Sequence, residues 1–284
     1  MNKKNSPQSF LYYQLLKRHY FALTGPIRVL PDFLIIGAKR CGTTSLFYHL
    51  PEHPMISKSH HDNMGFFNDN FHLGVNWYKS FFPTIFVKNK FEKKFGKFLS
   101  FDVTSKYMED ECTANNIKKT EPDMKIIVIL RNPVDRAYSQ FHVSVKEQTE
   151  QMNFEDAVSK EIEKLKIEFN EKSDEKLKKF PLENFHYIKK GLYAMQLKSW
   201  FRIFHRENIL VLSTEEFEKN QDKIYKKIFN FLEIDDFKIK NQERMQKGHY
   251  PPMNTNIRNV LLDFFKPHND ELFSLIGEKF DWDN

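Results

Sequence analysis

The sequence predicts an α/β fold, a three-layer doubly wound parallel sheet, from three observations. An apolar strand at 33–36 runs into a glycine turn and then a helix. A second run, Ile126-Ile127-Val128-Ile129-Leu130, is too uniformly apolar for a half-exposed strand and suits a central parallel strand covered on both faces. Helical stretches separate these from further apolar runs at 98–103 and 208–212, the alternation that a parallel sheet with crossover helices requires. In such a sheet ligands collect at the carboxyl ends of the strands.

Taken in order, residues 10–22 show amphipathic helical spacing, which Gly25-Pro26 breaks. The strand at 33–36 follows, and a helix from Thr43 to about Leu50 stops near Pro51. Between 146 and 180 the chain turns rich in Glu and Lys while Phe154, Val158, Ile162, Leu165 and Phe169 keep helical spacing. A solvated helical insertion is expected there, because acids nearly cancel the lysines and argue against a nucleic-acid arm. The organisation expected is an N-terminal helical extension over 1–30 and a single domain over 31–284.

With 284 residues, 40% of them apolar, the chain can bury one large core. A net charge of +6 favours an anionic partner, although 44 basic residues face 38 acidic ones and the preference is slight. Two cysteines, Cys41 and Cys112, cannot build a disulfide framework, and no Cys/His pairs stand at zinc spacing, so no metal is expected. No run reaches the roughly 20 apolar residues of a membrane span, and no signal-peptide core is present. The expectation is a soluble, cytoplasmic protein.

The turn Gly37-Ala38-Lys39-Arg40-Cys41-Gly42-Thr43-Thr44-Ser45 makes an anion site from backbone alone, since free N–H groups and the positive end of the following helix both favour negative charge. Lys39 and Arg40 add to it. The glycines stand as in a P-loop, but Thr43 occupies the place of the lysine that follows the second glycine there. A nucleoside triphosphatase also needs a Walker B acid, and here the central strand runs into Arg131. A P-loop-like kinase or NTPase is therefore disfavoured but stays an alternative, as does a non-catalytic basic nucleotide-binding module.

Arg131-Asn132-Pro133-Val134-Asp135-Arg136-Ala137-Tyr138-Ser139 follows the central strand directly. Arg131 then sits at the carboxyl edge, Pro133 can begin a helix, and Ser139 lies about two turns along it. An arginine with a serine makes a good pair for a phosphate monoester. Asp135 and Arg136 read as local salt-bridge partners.

These two segments, in this order, resemble the sulfotransferase family that uses 3′-phosphoadenosine 5′-phosphosulfate (PAPS). The first resembles its P-loop-like 5′-phosphosulfate loop and the second its 3′-phosphate motif. Gly191-Leu192-Tyr193 and Lys247-Gly248-His249-Tyr250-Pro251-Pro252-Met253 add to the likeness, the latter being similar to the closing region of heparan-sulfate-type and bacterial carbohydrate sulfotransferases. The resemblance implies PAPS as donor, adenosine 3′,5′-bisphosphate as product, no metal, and a carbohydrate or small-molecule acceptor rather than nucleic acid.

By that resemblance Arg40 takes the position of a sulfate-bridging lysine, within a loop completed by Lys39, Cys41, Gly42, Thr43, Thr44 and Ser45. Arg131 and Ser139 hold the 3′-phosphate. Lys247, Gly248, His249 and Tyr250 fall where a Lys-Gly-Arg turn wraps the cofactor, with His249 in place of the arginine. The family carries a Lys-Glu pair shortly before two aromatics, whereas this chain has Lys58-Ser59-His60-His61-Asp62-Asn63-Met64-Gly65-Phe66-Phe67 and lacks the glutamate. Asp62 is then the first choice of general base and His61 the second, with His60 and Lys58 on the acceptor side. Asp102, in the segment matching Glu-x-Thr-Pro-x-Tyr, orients acceptor or base. Lys106, Tyr107 and Tyr193 line the acceptor cleft, although Tyr107 reads equally well as core.

Overall fold

β1 (Phe33–Gly37) is buried along its whole length and lies at the centre of a parallel sheet. The sheet runs β2 (Ile56–Lys58), β3 (Leu99–Val103), β1, β4 (Lys125–Leu130), β5 (Ile209–Ser213), with Leu34 of β1 opposite Asp102 on one side and Ile126 on the other. This computed structural model describes residues 18–170 and 187–282, apart from 244, 246, 247 and 249. The expected fold class stands, with the sheet flanked by helices. From β1 the chain leaves toward β3 and β2, and it returns to β4 and β5 on the other side. The carboxyl ends of β1 and β4 therefore open the crevice in which an α/β sheet binds its ligand.

In chain order the helices are α1 (Arg18–Ala22), α2 (Thr43–His49), α3 (Val75–Lys79), α4 (Ile85–Phe95), α5 (Glu111–Thr120), α6 (Pro133–Lys146), α7 (Phe154–Asn170), α8 (Tyr193–Ile203), α9 (Thr214–Lys219), α10 (Gln221–Leu232) and α11 (Thr255–Ile276). The sequence signals act as expected at several ends. Pro133 opens α6, whose first turn is capped by Asn132 accepting from Val134 N, and Pro51 falls in a 3-10 turn that ends α2. β5 begins one residue later than the apolar run, and β2, an edge strand of three residues, lies below what periodicity detects. The amphipathic stretch at 10–22 is helical at 18–22, and its earlier part lies outside the described residues. Among the described residues no helix is long and apolar enough to cross a membrane.

The charged segment departs from expectation. One face of α7 is not solvated: Phe154, Val158 and Leu165 join Val134 and Phe141 of α6 and Leu261 and Phe265 of α11 in a second apolar core. Glu161, buried on that face, accepts from the N–H groups of Tyr187 (3.0 Å), Ile188 (2.8 Å) and Lys189 (2.9 Å) and so anchors the chain as it approaches α8. Burial raises the Glu161 pKa, and these three bonds work against the rise. Residues 171–180 of the expected insertion lie outside the described residues.

Candidate active site

The loop after β1 is built by local geometry. Gly42, at φ 103° in the left-handed region, caps α2, a conformation glycine adopts without steric cost. Ala38 N donates to Ile129 O (2.8 Å), which ties the loop to β4. The hydroxyl of Thr214, at the start of α9, sits between the carbonyls of Cys41 (2.6 Å) and Leu130 (2.9 Å) and closes the same seam. The N–H groups of Lys39, Arg40, Gly42, Thr43 and Thr44 find no acceptor among the described residues, which is what an anion-cradling helix start presents.

The second segment is joined to the first by one side chain. Arg40 Nε donates to Ser139 Oγ on α6 at 3.2 Å, across 99 residues of sequence. Burial lowers the Arg40 pKa, as do the charges of Arg131 and Arg136, while Tyr250 works in the opposite direction. The Arg131 pKa is raised: burial works to lower it, and the neighbouring Tyr250 and Asp135 outweigh that. Arg136 is buried on α6 and donates to Tyr187 O (3.3 Å), whereas Asp135 pairs with Arg258 (2.7 Å).

The segment around Tyr250 straps across both halves. Met245 N donates to Ser45 Oγ (3.1 Å) at α2, while Tyr250 stacks on His142 of α6 with centroids 4.4 Å apart. Tyr138 Oη donates to Pro251 O (3.1 Å), and the Tyr250 ring lies beside Gly248. Lys247 and His249, expected in this strap, lie outside the described residues.

Some of the expected residues sit away from the open edge. Cys41 is fully buried, with its N–H on Ala38 O (3.2 Å) and its thiol 3.8 Å from Tyr193 Oη, and burial pushes it up to about 11. Tyr193 does not line a cleft, because it is buried and donates to Arg131 O (2.9 Å), holding the backbone of the second motif. Tyr107 is likewise core. It donates to Asp102 Oδ2 (3.0 Å) and accepts from Phe66 N (2.9 Å) and Phe67 N (3.3 Å). Asp102 is wholly enclosed, also accepting from Tyr78 (2.9 Å) and Thr104 (3.1 Å), and burial raises it to about 6. It cannot touch an acceptor where it lies, and it fixes the 59–67 loop through Tyr107.

That loop stands beside the β1–α2 loop. A Cβ on Gly37 would come 3.1 Å from Ser105 O, and Ser105 donates through N (3.1 Å) and Oγ (3.0 Å) to Asn63 Oδ1. Asn63 Nδ2 then donates to Asp62 Oδ2 (3.2 Å). His60 N donates to Phe81 O (3.0 Å), the His61 ring meets Phe81 edge-on, and Lys58 Nζ lies 4.3 Å from the Tyr48 ring centroid. Lys106 is exposed. Lys39 is half-buried and its pKa is lowered by burial and by the charge of Lys190, which itself pairs with Glu109 (3.2 Å). Among the described residues no cluster of His, Cys, Asp or Glu is placed to hold a metal ion.

A family model, that of the sulfotransferase domain, matches residues 30–251, which contain both motifs. The chain belongs to the sulfotransferase family. Among relatives of this sulfotransferase, the membrane-associated sulfotransferase kil1 of Dictyostelium discoideum is 23% identical, over 92% of this chain and 68% of the relative. The human bifunctional heparan sulfate N-deacetylase/N-sulfotransferase 1 is 27% identical over 87% of this chain, which spans only 29% of that enzyme's length. The crystal structure of a sulfotransferase from Alicyclobacillus acidocaldarius superposes with a TM-score of 0.68 at 25% identity, covering 90% of this chain and all of the other.

The residues missing from the sequence reading are supports. Glu215 accepts from Asn132 N (2.8 Å), Ser213 Oγ (2.8 Å) and Trp282 Nε1 (2.8 Å), pinning the second motif to β5 and the C-terminal segment. Thr214 and Glu215 directly follow an apolar strand, at the edge where ligands bind, and that was the available signal.

Proposed function

We propose that this sulfotransferase moves a sulfuryl group from PAPS to a hydroxyl or amine of a glycan, glycolipid or small metabolite. The observation that carries the reading is the Arg40 to Ser139 bond, which joins two anion-binding segments at one sheet edge. The donor set fits a ligand anionic at both ends: backbone N–H groups at α2 with Lys39 and Arg40 for the 5′ side, Arg131 and Ser139 for the 3′-phosphate. Ser45 and Tyr250 brace the strap over both. When bound, PAPS supplies the activated sulfuryl group and leaves as adenosine 3′,5′-bisphosphate.

The chain's own work is charge placement and proton removal. Lys39 and Arg40 put positive charge where negative charge builds up on the leaving oxygen. Asp62 accepts the acceptor proton at Oδ1, its Oδ2 being held by Asn63. His61, in the same loop, is the second choice. The human relative acts, by its name, on heparan sulfate, so glycan hydroxyls and amines are the first acceptors to try.

Calorimetric titration with adenosine 3′,5′-bisphosphate, with and without magnesium, tests the reading. Binding that does not depend on magnesium is expected. Failure to bind in the absence of metal would sink it.

A further inference from the structure

α4 buries none of its residues. Lys88, Glu92 and Phe95 are half-buried and mark the side facing the body of the protein, where Lys88 and Glu92 pair at 3.7 Å. A repeat of about 3.6 residues orders the outward side as Lys93, Phe86, Lys90, Lys94 and Val87. Phe86 is 71% exposed and falls between Lys93 and Lys90 in this order, while Lys94 Nζ lies 4.8 Å from the centroid of the Phe95 ring. The acid of this helix, Glu92, is turned the other way.

The apolar rim continues past the helix. Arg28 bridges Thr84 in antiparallel fashion, and Val29 N donates to Pro83 O (3.1 Å), so Ile27 is set beside the first residue of α4. Arg28 is held in place by bonds to Phe82 O (2.6 Å) and Thr24 Oγ1 (2.7 Å). Leu23, just before this turn, is 77% exposed. These residues lead into the amino end of β1, whereas the phosphate loop leaves its carboxyl end.

We infer that this face docks on an anionic lipid bilayer surface, with Phe86, Leu23 and Ile27 entering the headgroup layer and Lys90, Lys93 and Lys94 lying over lipid phosphates. Protein interfaces are depleted in lysine, and their anchors fill pockets. An exposed aromatic that shares a helix face with lysines suits a surface that is apolar within and negative at its boundary. Because the face lies toward the amino end of β1, docking leaves the carboxyl edge of the sheet accessible.

Co-sedimentation of the full chain with phosphatidylcholine vesicles, with and without phosphatidylglycerol, tests this. Binding is expected only to the phosphatidylglycerol vesicles, and it should fade at high salt. Lys90→Glu with Lys93→Glu and Lys94→Glu should weaken it by about a hundredfold or more, and Phe86→Ser with Leu23→Ser by about tenfold. Both variants should keep adenosine 3′,5′-bisphosphate binding, which separates this face from the donor site. The inference is overturned if the wild-type chain ignores phosphatidylglycerol vesicles, or if the charge-reversed chain binds them equally. Concentration-dependent dimerisation that Phe86→Ser abolishes, seen by light scattering, would assign the face to a second copy and equally overturn it.

Discussion

Arg40 shows how far a residue's role depends on where its side chain reaches. Its place in the loop was legible from spacing, but its bond to Ser139 was not. Arg131→Ala should weaken adenosine 3′,5′-bisphosphate binding by about 10- to 100-fold in calorimetry, the worth of a charge-assisted hydrogen bond, whereas Arg40→Ala should cut the rate of transfer more than it weakens product binding. Asp62→Asn should leave that affinity unchanged and cut turnover by about 100-fold or more. An unchanged rate in Asp62→Asn together with a collapse in His61→Ala would move the base to His61. Asp102 makes a prediction about stability. Burial raises it from 3.8 to about 6, so its folded form prefers the proton. The stability this contributes is present below the unfolded value and is lost as pH rises through about 6. Its size is about 3 kcal/mol at most. Urea denaturation between about pH 4 and pH 7 should show the wild-type chain losing stability relative to Asp102→Asn, whose amide does not titrate. Parallel pH profiles would rule this out.

Strands and turns were readable wherever one element carried its own signal. β4 announced itself by five consecutive apolar side chains, and Pro133 marked the start of α6. β2 stayed hidden because three residues carry no period. The joint between the β1–α2 loop and the β5–α9 corner was hidden for another reason: the Thr214 hydroxyl meets one carbonyl from that loop and one from the end of β4, both far away in sequence. Thr214→Val keeps the shape but leaves the Cys41 and Leu130 carbonyls without that donor. A loss of about 1–3 kcal/mol in chemical denaturation is expected, together with weaker adenosine 3′,5′-bisphosphate binding. Full stability in the valine variant would show that the seam holds without the hydroxyl.

Over the whole molecule, α7 is integral to the protein, because its apolar face is shared with α6 and α11. Leu165→Ala should cost about 2–5 kcal/mol, as expected of a filled core position. Tryptophan fluorescence and far-UV dichroism should still report a single coincident transition. An early, separate loss of helix would show the segment to be a loose appendage. The sequence by itself determined the fold class, the four longer strands and the place of the glycine turn and of the segment after β4, because period, glycine turns and proline starts act over a few neighbouring residues. Only the tertiary structure decided that Tyr193 supports Arg131, that Asp102 is enclosed, that Arg40 reaches Ser139 and that α4 faces outward. Burial and hydrogen bonding between residues a hundred positions apart depend on how the layers pack, and no local pattern encodes that packing.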